Sequence, residues 1–188
     1  MTYDPAHHHR SIRLRDFDYA SAGAFFVTLC TQDRLCLFGH IEGGEILLSL
    51  FGRVVEEEWL RTPQVRPSVD LDAFVVMPNH VHGIIVLNDR EQSGDGVAAI
   101  RAIRRIAPTG SPPGSIGAIV GQIKTVTTKR VNALRGTSGS PVWQRNYYEH
   151  VIRDDRDLAR IRAYIAANPA RWQEDGENPF GRMNNPRT

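Results

Sequence analysis

The sequence predicts an α+β domain, in which helices pack on an antiparallel sheet. Strand-like and helix-like segments are mixed along the chain without the regular alternation that marks a parallel βαβ fold. The chain has 188 residues, enough for one hydrophobic core and slightly short for two ordinary domains. Its composition, 41% hydrophobic and 23% charged, is ordinary for a globular protein. We therefore expect one domain over residues 1–172 and a polar C-terminal tail over residues 173–188.

The first half of the chain predicts strands followed by a helix. Residues 24–31 are rich in β-branched and aromatic side chains, which favour a strand. Gly43 and Gly44 separate two short apolar stretches and indicate a turn between further strands. An amphipathic helix follows, because apolar residues recur near helical spacing and Pro63 ends the pattern. The apolar residues are Leu50, Val54, Val55 and Trp59.

A second pair of strands is predicted next, over residues 69–76 and 80–87, with a bend at Pro78 and Asn79 between them. Residues 88–115 are rich in Gly, Pro, Ser and Arg, so they predict a long basic loop.

Two helices are predicted after this loop. The first covers residues 116–135, with Ser115 as its N-cap and Gly136 at its end. Its inward side chains are expected to be Ile116, Ile119, Val120, Ile123, Val126, Val131 and Leu134. The last helix begins at the acidic stretch DDRD and runs to about Asn168, where Pro169 stops it.

Two histidines lie one residue apart in the second strand pair, in the stretch PNHVHG. Alternate side chains of a strand point to the same face, so His80 and His82 project together, roughly 7 Å apart at the backbone. Two imidazoles placed in this way can converge on one metal ion. The alternative is a pair of histidines on a solvent-exposed strand face.

A phenol and an amide share one face of the last helix. Tyr164 and Asn168 are four residues apart, which places them about 6 Å apart on a helix. With the two imidazoles they make a set of two nitrogens, one oxygen and a nucleophile. These donors, without a thiolate, suit Mg²⁺ or Mn²⁺, although the histidines would also accept Zn²⁺. Taken singly, Tyr164 is typical of a half-buried aromatic residue and Asn168 of a helix end.

Basic charge is concentrated in one part of the chain. Residues 97–153 contain nine basic residues and one acid, Glu149, a net charge of +8 in a chain whose total is +2. Such a segment is typical of a surface for a polyanion, most often nucleic acid, and its alternative is a solvated face.

Composition also bears on location. Cys30 and Cys36 have neither metal-site spacing nor the density of a disulfide scaffold, and they favour a reducing compartment and a packing role. No signal peptide and no apolar run of membrane length is visible in the sequence. We expect a cytoplasmic protein without a membrane partner.

Several blocks of sequence, in this order, carry a family resemblance: PNHVHG, IVGQIKTVTTKRVN, VWQRNYYEHVIRDDRDL and YIAANPARW. With the opening stretch HHHRSIRLRDFDYASAGAFFVTLCTQDR they span residues 7–172. The chain resembles the HUH single-tyrosine transposases of small bacterial insertion sequences, and most of all their domesticated relatives, the REP-associated tyrosine transposases. The resemblance implies a ferredoxin-like sheet with helices, and a metal-dependent single-strand DNA endonuclease and transferase.

The resemblance also implies roles for particular residues. The histidine–hydrophobic–histidine motif falls on His80, Val81 and His82, the nucleophilic tyrosine on Tyr164 and the third metal ligand on Asn168. Many transposases of the wider family have glutamine at that last position. The cofactor would be Mg²⁺ or Mn²⁺. Attack by Tyr164 would leave a 5′-phosphotyrosine and a free 3′-hydroxyl, so that the same site could rejoin strands.

The expected substrate is single-stranded DNA beside a hairpin formed by a palindromic repeat, so the protein would be nucleoid-associated when bound. Insertion-sequence relatives are dimers, which leaves a homodimer and a monomer as alternatives. Trp143 or Tyr147 could stack on an unpaired base. The basic residues expected to contact DNA are Lys124, Lys129, Arg130, Arg135 and Arg145.

Rival assignments stay open. Tyr147 and Tyr148 are alternative nucleophiles, but their surroundings predict an extended segment without an amide or acid one helical turn away. A non-catalytic DNA hairpin-binding protein with a vestigial ligand set is the main alternative function. A metal-dependent hydrolase using His80 and His82 would need further His and Asp ligands. No role is assigned to residues 7–9, a run of three histidines.

Overall fold

The computed structural model describes residues 22–88 and 113–181, and within these ranges the chain forms six strands and four α-helices. The strands are β1 (Gly23–Cys30), β2 (Gly39–Glu42), β3 (Glu45–Leu48), β4 (Val69–Val76), β5 (His80–Leu87) and β6 (Tyr148–Ile152). The helices are α1 (Leu50–Leu60), α2 (Thr62–Val65), α3 (Ile116–Arg135) and α4 (Asp155–Ala167). Two short 3₁₀ helices cover Gln32–Arg34 and Pro169–Glu174.

Four of the strands form one antiparallel sheet in the order β4-β5-β1-β6. In the central pair, Thr28 of β1 lies opposite His82 of β5, and Cys30 lies opposite His80. β2 and β3 form a separate hairpin. The strand order, with helices between β1 and β4 and between β5 and β6, is the ferredoxin-like arrangement. The predicted fold class, α+β with helices on an antiparallel sheet, is confirmed.

Helix boundaries follow the capping signals of the sequence. The side chains of Ser49, Ser115 and Asp154 each accept a hydrogen bond from a backbone N–H in the first turn of α1, α3 and α4. Gly136 ends α3 in the left-handed conformation, with φ 67°, which costs glycine little. Since α4 begins at a fixed cap, the positions of the residues along it are determined as well.

Alternation along the strands gives the sheet two different faces. The α1/α3 face is covered by a large apolar cluster that draws on β1, β5, α1 and α3 and includes Phe25, Val27, Trp59, Val81 and Ile123. The α4 face is covered by a smaller cluster, whose buried members are Phe26, Ile84, Ile161 and Ile165. His80 and His82 alternate with the residues of the large cluster on β5, so they belong to the α4 face.

The prediction that Leu134 points inward from α3 is wrong. Leu134 is 50% exposed, whereas Thr127 is fully buried, and its hydroxyl oxygen accepts a hydrogen bond from the indole N–H of Trp143 at 2.8 Å. A hydrogen bond inside the protein makes a buried threonine tolerable, and a pattern of apolar residues does not reveal it.

Some predicted features lie outside the described residues: the run of histidines at 7–9, residues 89–112 of the basic loop and residues 182–188 of the tail. The first part of the tail is described, and Glu177 and Asn178 in it are buried. In the described ranges, no helix combines the length and the apolar character that crossing a membrane requires.

Candidate functional site

His80 and His82 lie side by side on β5, as the period of the strand predicts. Their ring centroids are 4.4 Å apart, and the side chains are 0% and 1% exposed. The ring of His82 also stacks on Phe26, at 5.4 Å between centroids. The alternative of two histidines on a solvent-exposed strand face is therefore wrong.

The two imidazoles are held by neighbouring polar side chains. Nδ1 of His80 lies 2.9 Å from Oδ1 of Asn79, and Nδ1 of His82 lies 2.8 Å from the hydroxyl of Thr28. A hydrogen bond at one ring nitrogen orients the ring and leaves the other nitrogen to face the site, as is usual for histidines that bind metals.

Tyr164, on α4, contacts His82, on β5. Its hydroxyl lies 3.2 Å from Nε2 of His82, and its ring meets the imidazole at 5.1 Å between centroids. The edge of the tyrosine ring also packs on Phe26, at 6.0 Å. The structure thus brings together the two histidines and the tyrosine that the sequence singled out.

Asn168 directly follows α4 and is 4% exposed. Its Oδ1 is buried and accepts no hydrogen bond from the described residues. Leaving such an acceptor without a partner costs about 1–3 kcal/mol. A bound cation would remove that cost, so the side chain suits the ligand role that the sequence suggested.

Asp175 joins the site, and sequence reasoning missed it. The ligand atoms of His80, His82 and Asp175 all lie within 4.8 Å of one another, and Oδ2 of Asp175 is 3.7 Å from Nε2 of His80. This Oδ2 is buried and has no hydrogen-bond partner among the described residues. Two imidazoles and a carboxylate are a donor set that divalent cations accept. No signal in the sequence near Asp175, which lies in a polar segment, connects it with the histidines.

Thiolate chemistry is absent from this donor set. Burial raises the pKa of Cys30, and the nearby Glu177 carboxylate raises it further. The Cys30 thiol therefore stays protonated near neutral pH, which makes it unsuited to act as a nucleophile or a thiolate ligand.

The rival tyrosines lie on or beside β6. The hydroxyl of Tyr147 donates to Glu149 at 2.7 Å. Tyr148 packs near Phe26, at 6.2 Å between ring centroids, and burial raises its pKa. A raised pKa keeps a phenol protonated, so Tyr148 is a poorer nucleophile than an ordinary tyrosine.

Three of the residues predicted to contact DNA make hydrogen bonds or ion pairs within the protein. Burial lowers the pKa of Lys124 to about 8, and its Nζ donates to the carbonyls of residues 144 and 146. Arg130 pairs with two glutamates of α1 at 2.7 Å each. Arg135 donates to Asn132 and to carbonyls beyond the end of α3. The guanidinium of Arg130 in particular is engaged by acids.

Trp143, Lys129 and Arg145 line an open groove of about 420 Å³ between α3 and the segment before β6. Trp143 is 7% exposed and packs on Phe38, so its ring does not offer an open face for stacking. Lys129 and Arg145 are exposed, and neither forms an ion pair with another described residue. Of the cations predicted to contact DNA, these two therefore remain candidates for a phosphate contact.

Comparisons with known proteins agree with the resemblance in the sequence. No family model matches the chain. An uncharacterised protein of Haemophilus influenzae is 38% identical over 169 residues, which cover 90% of this chain and 92% of that protein. A second protein of the same organism, named "Putative REP-associated tyrosine transposase", is 25% identical over 162 residues, 82% of this chain and 74% of its own length.

The fold is also found in a solved structure of a REP-associated tyrosine transposase bound to a REP hairpin. The TM-score is 0.55 and the identity 20%, with 86% of this chain and 74% of that chain covered. Similarity in sequence extends over most of the chain, and the ferredoxin-like sheet is shared. The chain is therefore homologous to a putative REP-associated tyrosine transposase and shares the fold of the solved one.

Proposed function

We propose that this protein cleaves and rejoins single-stranded DNA beside a hairpin of a palindromic repeat, with Tyr164 as its nucleophile and Mg²⁺ or Mn²⁺ as its cofactor. One observation carries the proposal: the Tyr164 hydroxyl lies 3.2 Å from Nε2 of His82, and His82 is one of three side chains that together can hold a cation. The REP hairpin bound by the solved relative supports the choice of substrate.

Tyr164 would attack the scissile phosphorus through its phenolic oxygen. A new P–O bond to the tyrosine forms, the bond to the 3′ oxygen breaks, and that oxygen leaves as a 3′-hydroxyl after it gains a proton. The tyrosine hydroxyl must lose its own proton on the way. Because one phosphodiester replaces another, the bond energy is kept, and a new 3′-hydroxyl can reverse the reaction and rejoin the strand.

The cation would be held by His80, His82 and Asp175, with Oδ1 of Asn168 as a further oxygen donor. When bound, a divalent cation would neutralise negative charge on the scissile phosphate and stabilise the charge that develops there. The proposed domain then extends beyond residue 172, because Asp175 comes from the start of the polar tail.

The surroundings of Tyr164 favour a tyrosine over water as nucleophile. Its ring is fixed between Phe26 and His82, and both histidines are fully buried. A nucleophile that is held in place needs little reorganisation before it reacts. Burial of the side chains around it also keeps bulk water away. All of these residues belong to one chain, so the proposed chemistry does not require a second copy.

The burial of the two histidines also supports a second candidate, a hairpin-binding protein without catalysis. A phosphate reaches His80 and His82 only if the side chains that cover them move, since the histidines are 0% and 1% exposed. If these side chains never move, the basic surface would still bind DNA and the tyrosine would not react.

The test is incubation of the full-length protein with hairpin-bearing single-stranded DNA and Mn²⁺, followed by denaturing electrophoresis. We expect a protein–DNA adduct that survives denaturation, together with a shortened DNA strand. Tyr164→Phe removes one oxygen and keeps the ring, so it should bind the hairpin normally and lose both products.

Tyr148→Phe is the matched control, because it removes the same atom from a tyrosine beside the same Phe26. It should keep both products. Binding of the hairpin by the wild-type protein without any adduct or cut strand would reject the proposal in favour of the non-catalytic alternative.

A further inference from the structure

Asn79, at the bend between β4 and β5, makes hydrogen bonds with three separate parts of the chain. Its side chain is 1% exposed. Nδ2 donates to the carbonyl of Arg34 at 3.1 Å and to the carbonyl of Glu177 at 2.8 Å, while Oδ1 lies 2.9 Å from Nδ1 of His80. The amide group therefore links the loop after β1, the C-terminal segment and the first histidine.

These partners determine which ring nitrogen of His80 carries the proton. The two backbone carbonyls can only accept hydrogen bonds, so the NH₂ group of Asn79 must face them. Its Oδ1 then faces Nδ1 of His80 and can only accept, which requires a proton on Nδ1. In the neutral imidazole, Nε2 is left with its lone pair, and this nitrogen faces Oδ2 of Asp175 at 3.7 Å.

The same amide docks the segment that carries Asp175. Glu177 lies two residues after Asp175, and its carbonyl accepts from Asn79. The side chain of Arg34 adds a hydrogen bond to the carbonyl of Gly176 and an ion pair with Glu177, both at 3.2 Å. Asn79 therefore contacts both His80 and the segment that carries Asp175, and Arg34 reinforces the position of that segment.

We infer that Asn79 is a positioning residue for the metal site: it sets the proton of His80 on Nδ1 and holds Asp175 opposite Nε2. Neither role involves contact with DNA. The inference rests on the candidate metal site rather than on DNA cleavage, so it can be tested with the cation alone.

The first test is titration of the metal-free, full-length protein with Mn²⁺ by calorimetry. Loss of a side chain that orients a metal ligand weakens metal binding by about 10–100-fold, which is the change expected for Asn79→Ala. Asn178→Ala is the matched control, because this amide is 2% exposed and lies in the same segment, where its side chain hydrogen-bonds to the backbone of Trp172 and Phe180. The control should bind Mn²⁺ nearly as well as the wild-type protein.

The second test reads the proton on His80 directly and needs no folded Asn79 variant. Nitrogen-15 NMR of the metal-free wild-type protein at mildly alkaline pH should show His80 protonated at Nδ1, with the signal assigned from its absence in His80→Gln. Protonation at Nε2 would overturn the inference. So would equal losses of Mn²⁺ affinity in Asn79→Ala and Asn178→Ala, or a wild-type protein that does not bind Mn²⁺. A protein that meets these expectations and never cuts DNA would remove only the proposed function.

Discussion

The two faces of the sheet are made by the same strands, yet they differ in what they bury. On β5, Val81 and Ile85 enter the large apolar cluster of the α1/α3 face, whereas His80 and His82 alternate with them on the α4 face. Among the residues that the structure describes, the large cluster contains 19 buried hydrophobic residues and the small cluster four. Most apolar burial therefore lies on one side of the sheet and the candidate site on the other.

The α4 face is held partly by polar contacts. Arg162 of α4 donates to both carboxylate oxygens of Asp72 on β4, at 2.8 and 2.5 Å. His150 of β6 contacts Asp157 of α4 at 2.7 Å. Since β4 and β6 are the two edges of the sheet, these pairs tie the helix of Tyr164 to both edges. The comparison indicates that one face supplies stability while the other positions reactive groups.

The largest effect is expected from His82→Ala, on the α4 face. This change removes a candidate cation ligand and the group that Tyr164 contacts. DNA cleavage should fall by at least about 10³-fold, the scale seen when a group acting directly in the chemistry is removed. Hairpin binding, measured by fluorescence anisotropy, should change little.

His150→Ala is the control for that variant, because it removes a histidine from the same face that is hydrogen-bonded to Asp157 and is not among the proposed ligands. It should keep most of the cleavage activity. Similar losses in the two variants would mean that the face as a whole, rather than the histidine pair, is needed.

On the α1/α3 face, Gly83→Ala should lower stability. A Cβ added at Gly83 would collide with the ring of Trp59, which is fully buried. Overpacking of this kind costs about 1–3 kcal/mol of the free energy of unfolding, measurable by urea denaturation.

Gly121→Ala is the contrasting variant, because Gly121 lies in α3 and a Cβ there meets no atom within 4 Å. It should stabilise the protein by about 0.5–1 kcal/mol through helix propensity. If Gly83→Ala proves as stable as the wild type, the close packing described for the large cluster is wrong.

DNA binding should distinguish two neighbouring cations of α3. Lys129→Ala is expected to weaken binding and to lower the slope of log affinity against log salt by about one unit, the effect of one lost phosphate contact. Arg130→Ala should leave the slope unchanged, since its guanidinium already pairs with Glu57 and Glu58. Equal slopes for Lys129→Ala and the wild-type protein would show that this helix face does not meet DNA.

The smallest effect concerns pH and the attachment of α4. The hydrogen bond from Arg162 lowers the pKa of Asp72. A carboxyl group whose pKa is lower in the folded state stabilises the protein above its unfolded pKa of about 3.9, and this stability is lost as the pH falls through the folded pKa. In Asp72→Asn, the free energy of unfolding should therefore fall less steeply as the pH drops below about 5. The change in slope should correspond to less than about one bound proton.

Urea denaturation at several acidic pH values measures this difference. Because the pair is partly exposed, solvent reduces its contribution, and a small change is the expected one. A steeper acid transition in Asp72→Asn would contradict the sign of the pKa shift.

The sequence predicted most of the fold because its signals are local. The period of β5 placed His80 and His82 on one face, and the caps at Ser115 and Asp154 located α3 and α4. Four-residue spacing related Tyr164 to Asn168 along the chain. Each of these inferences needs only the residues of one element.

The rest depends on contacts between distant parts of the chain. Asp175 is held near His80 by the hydrogen bond that Asn79 donates to the carbonyl of Glu177, and no periodic pattern contains this information. In the same way, Arg130 looked available for DNA because the glutamates of α1 that pair with it are far away in sequence. Charge counts show where cations are concentrated but not which of them are already paired.

The most direct test of the central claim is to map the site of DNA attachment in the wild-type protein. After reaction with hairpin-bearing DNA and Mn²⁺, trypsin should release two informative peptides: residues 163–171, which contain Tyr164, and residues 146–153, which contain Tyr147 and Tyr148. We predict that mass spectrometry will find the nucleotide attached to the first peptide, at Tyr164. Attachment to the second peptide, or cleaved DNA without any modified tyrosine, would contradict the account.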